Sequence, residues 1–149
     1  MTHASFRCTV NAPFDIVWET LMDEVENPHL YNRNIKGVEV LERFHDGILR
    51  VVSVPDAEVR EKVVFTYKKG EIESNLVGHP SLVGTIFKAI RPIKDQEHCY
   101  LLESELKWQS TDNRIDNMVR RNVERFVMNG LNEVKNKAER RHAGDRLKF

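Results

Sequence analysis

The chain has 149 residues, enough to bury roughly two-thirds of its unfolded surface in one core without covalent or metal staples. Lys plus Arg and Asp plus Glu both number 23, so no net charge draws the protein to nucleic acid or to an anionic membrane. Met1 to Arg7 lacks the apolar run of a signal peptide, and no window approaches the ~18 apolar residues of a membrane span; a single soluble, cytoplasmic domain over residues 1–149 is expected.

Ser5 to Val10 alternates, with Phe6, Cys8 and Val10 on one face, and predicts a half-buried strand. Asn11-Ala12-Pro13 ends it, and Pro13 suits the first position of a helix, where its missing N–H goes unneeded. Phe14, Val17, Trp18, Leu21, Met22 and Val25 form that helix's stripe. Asn27-Pro28 stops it, leaving His29 to Asn34 room for a short turn or second helix.

From Gly37 the period changes to two. Val38 and Val40 lead through a His45-Asp46-Gly47 turn to a strand Ile48 to Val54, and Pro55 to Glu58 reads as a four-residue turn. The next strand, Val59 to Tyr67, carries Val59, Glu61, Val63, Phe65 and Tyr67 on one face, which puts a carboxylate on an apolar face. Lys68-Lys69-Gly70 turns into a strand Ile72 to Val77, Gly78 to Ser81 breaks it, and further strands run near Thr85 to Arg91 and Cys99 to Trp108. Antiparallel hairpins explain these short connections, since a parallel sheet would need crossovers.

The last element is a long amphipathic helix, Thr111 to His142, with Thr111 or Asp112 as N-cap. Its stripe is Ile115, Met118, Val119, Val123, Phe126, Val127, Leu131, Val134 and Ala138. Gly144 marks its expected end, and Asp145 to Phe149 reads as a frayed tail. The whole is α+β: about seven strands of a curved antiparallel sheet, a short helix pair after the first, and the long helix laid across.

This order resembles the helix-grip fold of the START-like or SRPBCC superfamily, which includes plant pollen allergens, lipid-transfer domains and polyketide cyclases. Ala12-Pro13-Phe14-Asp15-Ile16-Val17-Trp18-Glu19-Thr20-Leu21, Asn27-Pro28 and Val59-Arg60-Glu61-Lys62-Val63 look like an AtaL-like subgroup of largely uncharacterised function. The resemblance implies a cavity between sheet and C-terminal helix that holds a small hydrophobic molecule, whether lipid, polyketide or another aromatic metabolite. It equally implies two alternatives: an enzyme of the polyketide cyclase or aromatase kind, and an interaction module of the START-like co-chaperone or toxin type.

The four-residue turn at Pro55 sets Arg50 diagonally from Glu61, so a charge pair, a protonated acid or a wet cavity must accommodate the carboxylate. Pocket candidates are Arg50, Glu61, Tyr67, His79, Tyr100, Trp108, Met118, Asn122 and Phe126, with ordinary core packing the competing reading for the apolar ones. His79 stands in a loop at a sheet end, whereas His29, His45 and His98 read as solvated loop residues. No metal-ligand spacing and no nucleotide or nucleophile motif occurs, so no metal, no cofactor and no nucleic-acid partner is expected, and catalytic residues are unassigned. Cys8 and Cys99 read as reduced buried thiols, a disulfide being the alternative. Gly130 flanks the helix stripe and either permits close approach or is tolerated in solvent. The basic run from Arg120 to Arg141 reads as the helix's solvated face.

Overall fold

The structure is a computed structural model that describes residues 2–55, 57–110 and 113–146, with side chains described over 3–55, 57–110 and 121–144. Strand β1 (Thr2–Val10) precedes helix α1 (Phe14–Glu26) and a single 3₁₀ turn (Pro28–Leu30). Six strands follow: β2 (Gly37–Phe44), β3 (Gly47–Val54), β4 (Ala57–Thr66), β5 (Glu71–Leu76), β6 (Leu82–Pro92) and β7 (Tyr100–Ser110). Helix α2 (Asn113–Arg146) closes the described chain.

The sheet has seven strands in the order β1-β7-β6-β5-β4-β3-β2, with every pair antiparallel. Successive hairpins therefore build it outward from β7 to β2, and β1 returns to pair with β7. Its inner face is written in the alternation of β7, where Leu102, Ser104, Leu106, Trp108 and Ser110 are buried while Lys107 and Gln109 are exposed. Leu131, Val134 and Ala138 of α2 pack with Val17, Leu21 and Val25 of α1 and with Val63, Ile72, Ile90 and Leu102 of the sheet. At ~25 cal/mol per Å² of apolar surface, burying each such aliphatic side chain is worth about 1.5–3 kcal/mol, which makes this cluster the main hold on α2. Among the described residues no helix is long and apolar enough to cross a membrane.

Several expected boundaries shift, each for a local reason. β1 begins at Thr2, because Thr2 already pairs with Trp108 in register. The β3–β4 connection has two residues, since Val54 pairs with Ala57; Arg50 consequently faces Glu61 directly and not diagonally. β4 ends at Thr66, and Tyr67–Lys69 form a 3₁₀ turn terminated by Gly70 at φ 65°. α2 continues through Gly144 to Arg146, because Gly144 keeps a negative φ and is no left-handed cap. The cap candidates Thr111 and Asp112 lie outside the described residues. Cys8 and Cys99 are free thiols, and burial pushes the Cys8 thiol up.

The basic face of α2 is a row of fasteners as well as a solvated surface. Lys135 donates to the Thr9 carbonyl at 2.6 Å and pairs with Glu139, whose carboxylate accepts the Asn11 backbone N–H at 2.8 Å. Lys137 donates to the Leu30 carbonyl at 2.9 Å and stands 4.2 Å over the Tyr31 ring. Arg141 donates to Thr20 Oγ1 at 2.9 Å and to Asp23 at 3.3 Å. These contacts tie the C-terminal half of α2 to β1, α1 and the turn behind α1, while Arg121 and Arg125 remain exposed.

Candidate functional site

Where α2 is held against α1, Leu131, Val134 and Ala138 pack in the core cluster; around Val127, toward β3 and β4, the sheet and the helix leave a space between them. A cavity of about 440 Å³ opens there, within the range of small-molecule sites. Its floor and back wall are inward residues of four strands: Val52 and Val54 of β3, Val59 of β4, Ile72 of β5 and Ile86 of β6. Trp108 of β7 closes one side. Val123, Phe126, Val127 and Gly130 of α2 form the roof, and Pro28, Asn34 and Ile35 from the chain after α1 complete the rim. The β-period selects these residues, because every second position of each strand faces the helix.

Two ion pairs stand on this apolar wall. Arg50 donates through Nη2 to Glu61 Oε1 at 3.0 Å, and through Nη1 to the Val25 carbonyl at 2.5 Å. Side-chain exposures of 11% and 7% make the Arg50–Glu61 pair nearly dry. Arg50 thereby caps a carbonyl of the last turn of α1, where the helix dipole favours a cation. Lys88 of β6 pairs with Glu24 of α1, at exposures of 19% and 8%. Both pairs therefore pin the C-terminal turn of α1 to the sheet while facing the same cavity.

Gly130 lies directly over the second pair. A Cβ there would sit 2.9 Å from Glu24 Oε2 and 3.2 Å from Asn32 Nδ2, so the glycine lets both side chains reach beneath α2. Asn32 Nδ2 donates to the Phe126 carbonyl at 3.2 Å and fastens the rim to the helix. Close approach is thus the role of Gly130, which is buried.

Of the sequence candidates, Arg50, Glu61, Trp108, Asn122 and Phe126 all line the cavity. Trp108 is 8% exposed, and its indole N–H has no partner among the described residues. Met118 falls on α2 outside the described side chains. Tyr67 and Tyr100 are at the opposite end of the sheet. Tyr67, half exposed in its 3₁₀ turn, donates to Asp15 at 2.5 Å and packs edge-on against Phe14 and Trp18 at 5.5 Å; Phe14 in turn meets Tyr100 at 5.9 Å. The hydrogen bond to Asp15 holds the Tyr67 hydroxyl above its ordinary pKa. His79 does not line the cavity either: its Nδ1 accepts the backbone N–H groups of Ser81 and Leu82 at 3.1 and 3.0 Å, which folds the β5–β6 loop onto the ring.

Glu24, Lys88, Asn32 and Ser74 belong to the cavity and were not among the sequence candidates. Lys88 had a signal, as a charge between Ile86 and Ile90 on one strand face, the same anomaly that singles out Glu61. Glu24 had a fainter one, seven residues from Val17 and three from Leu21 and so on the helix stripe. Among the described residues no cluster of His, Cys, Asp and Glu is placed to hold a metal ion.

A curved antiparallel sheet gripping a long C-terminal helix, with a cavity between them, defines the helix-grip fold of START-like proteins. The chain is similar to the Zhui aromatase/cyclase from Streptomyces sp. R1128, with a TM-score of 0.76 at 20% identity over 93% of this chain and 94% of that one. It is also similar to a START superfamily protein from Mycobacterium smegmatis (TM-score 0.64, 16% identity, 98% and 99% covered) and to Ara h 8.0201 (0.72, 10% identity, 91% and 96% covered). No protein-family profile matches the chain, and no curated protein matches it. At these identities the likeness establishes the fold.

Proposed function

We propose that the protein binds a small, mostly apolar molecule between the inner face of the sheet and the N-terminal half of α2. The observation that carries this reading is the cavity of about 440 Å³, walled mainly by aliphatic and aromatic side chains, beside a packed cluster that joins α1, α2 and the sheet. An interaction module of the same fold would have the space filled. On this reading the protein is soluble and cytoplasmic, its partner is a small molecule, and the cavity candidates Arg50, Glu61, Trp108, Asn122 and Phe126, with Met118, are its contacts.

The test is native mass spectrometry of freshly purified protein with solvent extraction of any bound mass, alongside titration with naphthalene followed by Trp fluorescence. Wild type is expected to retain or take up an apolar compound, and Val59→Trp, which fills the cavity, to lose it. Tyr67→Phe, at the far end of the sheet, should bind as wild type does. A folded wild type that carries nothing and takes up no apolar probe overturns the reading.

A catalytic use of the same cavity is the second reading, favoured by the ionisable groups Glu61 and Lys88 on its wall and by the likeness to an aromatase/cyclase. It predicts turnover of a reactive poly-β-ketone thioester that Glu61→Gln abolishes, whereas a carrier would return the compound unchanged.

A further inference from the structure

Among the described residues five ionisable side chains line the cavity, and the four on its buried wall are two of each sign, with each cation already set against an anion: Arg50 with Glu61, and Lys88 with Glu24. The remaining polar residues of the wall and rim, Asn32, Asn34, Ser74, Asn122 and Asn129, are uncharged, and Arg125 stands exposed at the mouth, where water screens it. The formal charge of the buried wall is therefore zero, Arg125 being the one charge left over among these described residues and standing in solvent.

We propose that this neutrality is a specificity filter: the cavity accepts an uncharged, mostly apolar molecule bearing a carbonyl or hydroxyl group, and rejects carboxylates and amines on the same skeleton. The inference rests on the reading that the cavity holds an apolar molecule. A carboxylate brought to Arg50 or Lys88 would compete with Glu61 or Glu24 and leave one anion uncompensated in a dry site, and an amine would do the same to a cation. A neutral oxygen asks for no such exchange. Arg50 Nε has no partner among the described residues, and Lys88 has more N–H groups than the one Glu24 takes, so a carbonyl can be met without breaking either pair. The unused lone pairs of Glu24 and Glu61 can accept from a hydroxyl in the same way.

The experiment compares dissociation constants of naphthalene, acetylnaphthalene, naphthoate and naphthylmethylammonium for the full chain at neutral pH. Acetylnaphthalene is expected to bind at least about tenfold tighter than either ion. Glu61→Gln gives the cavity a net positive charge and should move the naphthoate-to-acetylnaphthalene ratio at least about tenfold toward naphthoate. Lys88→Gln gives the buried wall a net negative charge and should move the naphthylmethylammonium-to-acetylnaphthalene ratio at least about tenfold toward the ammonium. Each ratio is taken within one protein whose fold is verified by circular dichroism, and the wild-type comparison stands alone if a variant does not fold. Either ion binding wild type as tightly as acetylnaphthalene overturns the filter while leaving the apolar site intact. Failure of all four probes, plain naphthalene included, overturns the apolar-site reading and the filter with it.

Discussion

Glu24 and Gly130 illustrate how much of the site depends on one missing methyl group. In a helix interior, alanine is favoured over glycine by about 1 kcal/mol, so Gly130→Ala would ordinarily stabilise α2. Here the added Cβ would press on Glu24 Oε2 at 2.9 Å, and Glu24 is held in place by Lys88. The two effects oppose each other in the wild type and separate when Glu24 is truncated. Gly130→Ala is therefore expected to stabilise a Glu24→Ala protein by about 1 kcal/mol more than it stabilises wild type, read as a non-additive double-mutant cycle in urea unfolding. Equal effects in the two backgrounds would mean that Glu24 does not reach beneath the glycine.

Helix α2 has two halves with different attachments. Its C-terminal half is bound to α1 and β1 by aliphatic packing and by Lys135, Lys137 and Arg141, and two carboxylates in that seam respond to acid. Burial raises the Asp23 pKa, but hydrogen bonds from Tyr31 at 2.7 Å and Asn27 at 3.0 Å, with the Arg141 charge, more than offset it and hold the group below its ordinary 3.8. Burial likewise raises Glu139, and the Asn11 N–H together with Lys135 brings it below 4.5. A carboxylate lowered in the folded state contributes stability that is complete above its unfolded value and is lost as pH falls through the folded one. Melting temperature should accordingly begin to drop as pH falls toward 4.5 and go on dropping below 3.8, and drop less steeply in Asp23→Asn. Identical slopes in the two proteins would remove Asp23 from the acid response. The element-level plan was legible in the sequence, because amphipathic stripes and strand alternation depend on local spacing. The role of Arg141 was not: a cation off the apolar stripe reads the same whether it meets water or Asp23.

At the scale of the molecule, the sheet holds α2 firmly at one end and encloses a cavity under the other, so the two halves of the helix should answer a ligand differently. A ligand present at 100 times its dissociation constant stabilises the folded state by about 2.7 kcal/mol, and that stabilisation is distributed over the elements it touches. Amide hydrogen exchange with and without acetylnaphthalene is expected to slow over 121–130 and along the cavity stretches of β3 and β4. Residues 131–142, already packed on the core, should change little. Uniform slowing along α2 would mean that the helix moves as one rigid body and that its N-terminal half is not a separate roof.

By itself the sequence determined the order of elements, the antiparallel hairpins, the amphipathic faces and the anomaly of Glu61 on an apolar strand face. These follow from periods of two and 3.6 residues and from turn chemistry, all of which are local. Only the tertiary structure decided that Arg50 lies directly opposite Glu61, since this depends on a turn two residues shorter than its composition suggests. It also brought Glu24, Lys88 and Gly130 together from α1, β6 and α2, while placing Tyr67, Tyr100 and His79 off the cavity. A cavity is a space left where distant elements diverge, and sheet curvature and helix placement, unlike strand alternation, are set by packing across the whole chain.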